Sequence, residues 1–284
     1  MRIKYFDTVK QFLNEFNEIL LEKEEVNQLI LFNANNMLVQ EQVEGSFYGG
    51  VWNEEGVLKF IFLHMPPYNL LISSIGEVDN RVTESFAMDI ASNHPLIRGI
   101  NARKEVAYVF SNAFVTIRRC NIETHFTLDI MKLTKTNDCN LPNGIFRKAT
   151  DQDIPLIVEW NQAFFAYIGE TIEVLEDYIK KIKTRVNEGK YYLFETPDNI
   201  VVSMAAASRY LTYGVAIGPV FTPEIYRNKG YGMAVVHHLC QALLQDGHRY
   251  VTLYVDQKNP VSNHVYLKIG FEIVEDQLDI RFVE

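Results

Sequence analysis

The sequence has few cysteines and no long apolar run, and each shortage excludes a class of protein. Its three cysteines, Cys120, Cys139 and Cys240, are too few and too scattered for a disulfide framework or a zinc site. No stretch is long and apolar enough to span a membrane. Residues 1–7 lack the apolar core and small-residue cleavage site of a signal peptide. We therefore expect a cytoplasmic protein with no membrane partner and no metal.

Basic residues are also in short supply. Lysine and arginine number 27 against 36 aspartates and glutamates, which gives a net charge of −9. Binding to nucleic acid in general needs a basic surface, so this balance argues against it. A local pocket can still be basic on an acidic protein, so a small anionic ligand remains compatible with the composition.

The chain of 284 residues is long enough for two ordinary domains. Residues 136–144 are polar and rich in turn formers, which is typical of a linker. We therefore predict one domain over residues 1–140 and another over residues 144–284.

The second half predicts the order β-α-α-β-β-β-α-β-α-β-β from its apolar spacing. Thr150 and Asp153 can cap the first helix, Ser262 can cap the last, and Gly247 can end the one between. The predicted elements are strand 145–149, helices to about 167 and over 172–187, strands 191–195, 200–208 and 212–222, a helix to about 245, strand 251–256, helix 262–269, and strands 271–274 and 278–283.

The first half is predicted to follow the same order, although less clearly. Residues 106–112 fit a helix or a strand equally well. The other predicted elements are a helix over 7–31, strands over 46–52, 57–64 and 69–73 with a hairpin turn at 53–56, a helix over 83–91 and a strand over 124–132. This half is either a degenerate copy of the second or an unrelated α+β domain.

Residues 219–232 contain the most informative motif. A strand ends there in a turn that carries Arg227, Lys229, Gly230 and Gly232, and the turn opens a helix. Unpaired backbone N–H groups and the positive end of the helix dipole converge at such a turn, so it can bind phosphate. The turn contains neither a Walker P-loop nor a Gly-x-Gly-x-x-Gly dinucleotide motif.

The turn resembles the pyrophosphate loop of the GNAT family of N-acetyltransferases, whose pattern is Arg/Gln-x-x-Gly-x-Gly/Ala. Residues 256–271 resemble a second segment of that family, Asn-x-x-Ser/Ala-x-x-x-Tyr-x-x-x-Gly-Phe, with Asn259, Ser262 and Tyr266 in register. The resemblance covers residues 144–284. It implies an α/β protein with the mixed sheet of the GNAT acyl-CoA N-acyltransferase fold. The first half contains neither motif, and the repeated order of its predicted elements is what favours a degenerate N-terminal domain of the same kind in tandem with the second half.

The cofactor that the resemblance implies is acetyl-CoA. Its diphosphate would lie on the loop, and its pantetheine arm would lie along the end of the fourth strand of this half. The residues implied to bind it are Val220, Phe221, Thr222, Arg227, Asn228, Lys229, Gly230, Tyr231, Gly232, Asn259 and Asn263. The alternative is an ordinary strand-to-helix turn with solvated charges.

The implied reaction is direct attack of a primary amine on the thioester, with Tyr266 protonating the CoA thiolate. Glu170 is a candidate base, and a backbone N–H near Phe221 would stabilise the oxyanion. Core packing for Tyr266 and a solvated charge for Glu170 are the alternatives. Tyr167, Tyr210 and Tyr213 are candidates for lining the acceptor pocket, although such aromatic residues more often belong to a core.

Two further readings of function stay open. The protein could be a non-catalytic acyl-CoA sensor, or its first half could be a surface for a partner or a homodimer. The acceptor could be a small-molecule or a peptide amine. Cys240 lies on an apolar helix face, which favours a buried hydrophobe over an acyl carrier, and the adjacent His237 and His238 point too far apart to chelate one metal.

Overall fold

A computed structural model describes residues 1–39, 43–172 and 174–283 of the chain. By internal contacts it separates into two compact units. The first consists of Met1–Met131, Tyr254–Pro260 and Ile273–Glu284, and the second of Lys132–Leu253 and Val261–Glu272. The two units are therefore not two uninterrupted halves, because C-terminal segments group with the first unit. Domains at 1–140 and 144–284 stay a prediction.

The first part of the chain forms a β-α-α-β-β-β-α-β-α-β series. Its elements are β1 (Arg2–Tyr5), α1 (Val9–Leu21), α2 (Glu24–Val39), β2 (Phe47–Trp52), β3 (Leu58–His64), β4 (Leu70–Ser74), α3 (Asn80–Asn93), β5 (Gly99–Arg103), α4 (Lys104–Arg118) and β6 (Asn121–Leu133). The hairpin turn after β2 is confirmed, since the Asn53 side chain accepts hydrogen bonds from the N–H groups of Glu55 and Val57.

One prediction for this part is wrong, one open alternative is settled, and two strands were missed. The single helix over 7–31 is wrong, because the chain turns between α1 and α2. That turn is held by Asn27, whose amide donates to the carbonyl of Leu20. The ambiguous segment 106–112 is helical and lies within α4, and strands β1 and β5 were not predicted at all. Both strands are short, and only pairing with neighbours distinguishes them from loops.

The sheet of the first unit runs in the order β1-β2-β3-β4-β5-β12-β6, where β12 is the C-terminal strand Glu272–Val283. Successive strand residues point to opposite faces. One face packs on α1 and α2 through residues such as Ile61, Leu63 and Leu71. The other packs on α3 and α4 through residues such as Phe60 and Phe62.

The second part repeats the order of the first. Its elements are β7 (Ile145–Lys148), α5 (Ile154–Tyr167), α6 (Leu175–Asn187), β8 (Tyr191–Glu195), β9 (Val201–Tyr210), β10 (Gly214–Phe221), α7 (Tyr231–Gln245), β11 (Tyr250–Asp256), α8 (Pro260–Ile269) and β12. In the second unit the strands run β11-β10-β9-β8-β7. Helices α5 and α6 pack on one side, around Ile157, Ile182 and Leu193, and α7 packs against β8, β9 and β10.

Two predictions for this part are also wrong in detail. Helix α8 begins at Pro260, so Ser262 lies inside its first turn and is not its N-cap. Proline suits that first position because the missing N–H would have had no helical partner. The last two predicted strands are one strand, β12, because the polar stretch that resembled a break stays paired, with Gln277 opposite Arg103. No described helix combines the length and the hydrophobicity that crossing a bilayer requires.

The start of α5 is held by a partly buried ion cluster. Asp153 accepts from Arg147 at 2.7 Å and from the N–H of Thr150 at 2.7 Å, which confirms the predicted cap. Arg147 also donates to Glu195. The hydrogen bond from Arg147 lowers the pKa of Asp153 from 3.8 to about 2.

This shift predicts acid sensitivity of folding. A depressed carboxylate pKa contributes stability that is present above pH 3.8 and is lost as the pH falls toward 2. The contribution is about 2 kcal/mol. Urea unfolding across this range should show the loss in the parent protein and not in Asp153→Asn. The exposed Asp177, which pairs with Lys180, is the matched control, because its replacement by Asn should change little.

Candidate functional site

Strand β10 loses one of its neighbours halfway along. It pairs with β11 from Gly214 to Ala216, opposite Tyr250 to Thr252, and the described ladder goes no further. Its pairing with β9 continues to Phe221, with register shifts after Ala216 and Ile217. Strand β10 is therefore not evenly paired along its length. The backbone of residues 217–221 has an edge that a ligand's amides could pair with.

The end of β10 is anchored from β9. Ser203 is fully buried, donates to the carbonyl of Phe221 at 3.2 Å and lies 2.9 Å from the hydroxyl of Thr222. The Phe221 ring contacts Trp160 of α5, and Val220 lies opposite Ala205. Ser203 was not predicted. A small polar residue inside an otherwise apolar strand was the only signal for it.

The loop between β10 and α7 brings the predicted cations to the surface. The Arg227 side chain donates to the carbonyl of Thr222 at 3.1 Å, and its guanidinium lies 5.9 Å from the ring of Tyr167. Arg227, Asn228 and Lys229 are exposed. Arg227 thus ties the loop to the strand end while its remaining donors face outward.

Two glycines shape the end of this loop. Gly230 has φ +81°, in the left-handed region that side chains rarely adopt. A Cβ on Gly230 would lie 3.3 Å from the Pro142 ring, and one on Gly232 would lie 3.1 Å from the Thr222 hydroxyl. Tyr231, between them, packs its ring on Phe194. The backbone is therefore left uncovered where helix α7 starts.

The N-terminus of α7 can receive an anion. Its first residues have N–H groups without helical partners, and no side chain of the described residues caps them. The helix dipole adds positive potential at the same point. The corresponding helix of the first part, α3, differs, because the Asp79 carboxylate already accepts from the N–H groups of Arg81 and Val82. Of these two helix starts, the α7 end therefore combines uncapped donors with glycine, and the α3 end does not.

Tyr266 lies on α8 and is 9% exposed. Its ring meets Phe271 edge to face at 5.8 Å. Burial, with a smaller effect of the nearby Cys240 thiol on α7, raises the pKa of the phenol, so the hydroxyl stays protonated at neutral pH. None of the described groups hydrogen-bonds this hydroxyl. It is therefore a proton donor in an apolar setting.

The other predicted residues lie on loops or helix ends. Asn259 directly precedes α8, and its N–H donates to the carbonyl of Asp256. Asn263 lies in the first turn of α8, one turn before Tyr266. Glu170 is half-buried in the connection after α5, and its N–H donates to the carbonyl of Phe165.

The three candidate aromatic residues do not come together. Tyr167 lies over Arg227, beside the loop. Tyr210 and Tyr213 flank the start of β10, whereas the loop follows its end, and they contact Lys190 and Arg249. Eight residues of strand separate the two ends, roughly 25 Å. Tyr210 and Tyr213 therefore do not line a pocket at this loop.

Cys240 is fully buried on α7, as expected for a small hydrophobe, and burial raises the pKa of its thiol. The rings of His237 and His238 are 5.8 Å apart and nearly perpendicular. Within the described ranges no group of three or more His, Cys, Asp or Glu is placed to hold a metal.

The environment of Cys240 predicts low reactivity. We expect iodoacetamide to label Cys120 and Cys139, which are partly exposed, at least about tenfold faster than Cys240 in the native protein, because the thiolate is the reactive form. Mass spectrometry of tryptic peptides would measure the rates. Rapid labelling of Cys240, together with inactivation, would restore the acyl-carrier hypothesis.

Comparisons with known proteins agree on the fold. Residues 199–279 match the sequence model of the family described as FR47-like protein. No curated protein sequence matches the chain. Among solved structures, it is similar to a GNAT-family acetyltransferase from Colwellia psychrerythraea (10% identity, TM-score 0.57, 99% of each chain covered). A GCN5-related N-acetyltransferase from Sphaerobacter thermophilus matches at 12% identity and TM-score 0.60, over 88% of this chain and 84% of that one.

A third similar structure, a Drosophila protein, covers 99% of this chain and 98% of its own, at 9% identity and a TM-score of 0.64. At these identities the likeness concerns the fold. The predicted α/β mixed sheet and the resemblance to GNAT proteins are confirmed, and the matches extend over the N-terminal part as well. The fold of this chain is therefore that of the GNAT N-acetyltransferases, with residues 199–279 matching the FR47-like family.

Proposed function

We propose that the protein is an acyl-CoA-dependent N-acyltransferase that transfers an acetyl group from acetyl-CoA to a primary amine. One observation carries the proposal. The unpaired edge of β10 ends in a glycine-rich turn that leads into the uncapped N-terminus of α7. A ligand that joins an extended arm to a diphosphate would match these features in order, with the arm along the strand edge and the diphosphate at the helix N-terminus.

The residues present fit that ligand. The N–H groups of residues 228–232 would receive the diphosphate, since Gly230 and Gly232 leave the backbone uncovered. Arg227 and Lys229 would add positive charge beside it. The backbone of Val220, Phe221 and Thr222 would pair with the pantetheine arm, and Asn259 and Asn263 would bind its amides.

Bound acetyl-CoA supplies the thioester: the amine nitrogen bonds to the acetyl carbon, the carbon–sulfur bond breaks, the amine loses a proton and the thiolate gains one. Tyr266 would donate its phenolic proton to the departing sulfur. A phenol whose pKa lies above 10 is a weaker acid than a thiol near 8.5, so its main effect would be a hydrogen bond that strengthens as charge develops.

The remaining roles belong to the loop after α5 and to the end of β10. A backbone N–H near Phe221 would stabilise the oxyanion. Glu170 would take a proton from the attacking amine, directly or through water. The acceptor would be a small-molecule or peptide amine, and the net charge of −9 favours a cationic one. We further propose a cytoplasmic location and a homodimer.

A screen of amines tests the proposal. Purified protein, acetyl-CoA and a panel of polyamines, aminoglycosides, amino acids and lysine peptides would be assayed for release of thiol. We expect at least one amine to accelerate release, with acetylamine product by mass spectrometry. Tight CoA binding without turnover on any amine would favour the sensor alternative. Absence of CoA binding would exclude both.

The capped α3 predicts one CoA site per chain. The Asp79 carboxylate occupies in the first unit the donors that would otherwise meet a phosphate. Calorimetric titration with CoA should therefore give a stoichiometry near one. Replacing Asp79 with Ala should lower stability by about 1 kcal/mol, as for a lost N-cap, without changing CoA affinity. A second CoA site lost on mutation in this region would show that the first unit still binds the cofactor.

A further inference from the structure

Two helices of the second unit have apolar faces that continue past the core. On α5, Trp160 and Tyr167 are seven residues apart, so they lie on the same side of the helix. Trp160 is 5% exposed and packs on Phe221, whereas Tyr167 is 65% exposed. On α6 the same spacing separates Leu175 from Ile182, and these are 43% and 1% exposed. The C-terminal end of α5 and the N-terminal end of α6 therefore present apolar surface to solvent.

The exposed or half-buried apolar side chains at these two helix ends form what we call the α5–α6 apolar face. Its members are Phe164, Phe165, Tyr167, Leu175 and Ile179. The ring of Phe165 meets that of Tyr178 on α6 edge to face at 5.8 Å, which joins the two helices. Leu175 and Ile179 are neighbours on one side of α6 because they are four residues apart. Contiguous apolar surface of this kind is typical of a binding site.

The α5–α6 apolar face borders the end of strand β10, where the acetyl group would be transferred. The ring of Trp160, just before the face on α5, lies 6.0 Å from the ring of Phe221. The ring of Tyr167 lies 5.9 Å from the guanidinium of Arg227 in the loop that follows β10. A substrate whose nitrogen reaches the end of β10 can therefore lay its carbon body on this face.

The charges beside the face favour one positive group on the substrate and disfavour a second. Glu170, half-buried in the connection after α5, would attract the ammonium that reacts. The Arg227 guanidinium already lies against the Tyr167 ring, so a second ammonium placed there would be repelled. That second ammonium would also have to give up water against apolar side chains. The face therefore suits an amine with a single charge.

We propose that the acceptor is a primary monoamine with a hydrocarbon body, and that Leu175 and Ile179 are specificity-determining residues for it. This inference rests on the proposed acetyl transfer at the end of β10. The hydrocarbon would cover the α5–α6 apolar face, so apolar surface of both partners would leave water. Polyamines and aminoglycosides, whose bodies are charged or polar, would not gain this contribution to binding.

Three amines with the same four-carbon chain test the proposal. They are 4-phenylbutylamine, butylamine and putrescine, whose chains end in a phenyl ring, a methyl group and a second ammonium. Thiol release from acetyl-CoA would give kcat/KM for each, and calorimetric titration in the presence of CoA would give each affinity without turnover. We expect 4-phenylbutylamine to exceed putrescine at least about tenfold in both measurements, with butylamine between them.

Glutamine variants place the hydrocarbon on the face. Leu175→Gln and Ile179→Gln should each weaken binding of 4-phenylbutylamine and raise its KM about fivefold or more, because each replaces an apolar contact with a polar one. Both should keep kcat and CoA affinity, which a general structural defect would also change. Ile117→Gln is the matched control, since Ile117 is an exposed isoleucine on helix α4 of the first unit. It should alter none of these values.

The outcomes separate this inference from the proposed acetyl transfer. Acetylation of putrescine as fast as 4-phenylbutylamine would overturn the inference and leave acetyl transfer in place. Binding of 4-phenylbutylamine that is lost in Leu175→Gln, with no turnover of any amine, would overturn acetyl transfer and support the apolar face as an amine site. No binding of 4-phenylbutylamine would overturn the inference. So would a change of Leu175→Gln from dimer to monomer with unchanged amine affinity, which would assign the face to a second copy of the chain.

Discussion

Replacing Gly230 with Leu is expected to abolish CoA binding while the fold persists. A side chain at this position would cover the N–H groups that open α7 and would press on Pro142, 3.3 Å from the new Cβ. Each hydrogen bond to a charged phosphate contributes about 1.5–3 kcal/mol, so the loss of two predicts an affinity at least about 100-fold lower. Calorimetric titration with CoA would measure it.

The chain offers a matched control for this change. Gly247 also has a positive φ, +97°, but nothing lies within 4 Å of the Cβ that a side chain would add. Gly230→Leu and Gly247→Leu should both lose about 1–2 kcal/mol of stability from the left-handed backbone. Only Gly230→Leu should lose CoA binding. Equal CoA affinity in the two variants would show that the loop is not the diphosphate site.

Replacing Tyr266 with Phe is expected to remove most turnover and leave CoA binding nearly unchanged. The hydroxyl is the only part of the side chain that is lost, and none of the described residues hydrogen-bonds it, so the packing on Phe271 remains. Removal of a positioned proton donor costs about 10²–10⁴-fold in kcat. Steady-state rates of thiol release, with the KM for acetyl-CoA measured alongside, would separate the loss of kcat from any change in cofactor binding.

Tyr192→Phe is the control for removal of a buried hydroxyl. Tyr192 stacks on Phe146, and burial raises its pKa to about 12, but it lies on β8 away from the loop. The Tyr192→Phe variant should keep full activity. If Tyr266→Phe turned over as fast as the parent, the tyrosine would be a packing residue. If neither Tyr266→Phe nor the parent protein turned over with any amine while both bound CoA, the hypothesis of a non-catalytic sensor would be favoured.

The elements of the second half could be predicted because each carries a local signal. Residues 191–195 and 201–210 are short apolar strands around a turn, and 231–245 has helical spacing. The errors arose where local signals were weak or misleading. Strand β5 has only five residues, and β12 contains three successive polar residues, so both depend on partners that are distant in sequence.

The candidate site divides in the same way. The loop 227–232 could be identified because backbone N–H groups, glycines and cations that act together are adjacent in sequence. The anchoring of Thr222 by Ser203, the end of the β10–β11 ladder and the exclusion of Tyr210 and Tyr213 could not, because each depends on pairing between strands. The Asp79 cap could be read from the sequence as an ordinary helix start. That it occupies N–H groups which stay free at α7 became visible only when the two helix starts were compared in the structure.

The order of most helices and strands, the acidic balance and the glycine-rich turn proposed to receive phosphate were determined by the residues alone, because periodicity, charge and glycine act over a few neighbouring positions. The tertiary structure decided which strand loses its neighbour and which helix start stays open. Those features arise when segments far apart in the chain compete for the same backbone hydrogen bonds and the same apolar contacts.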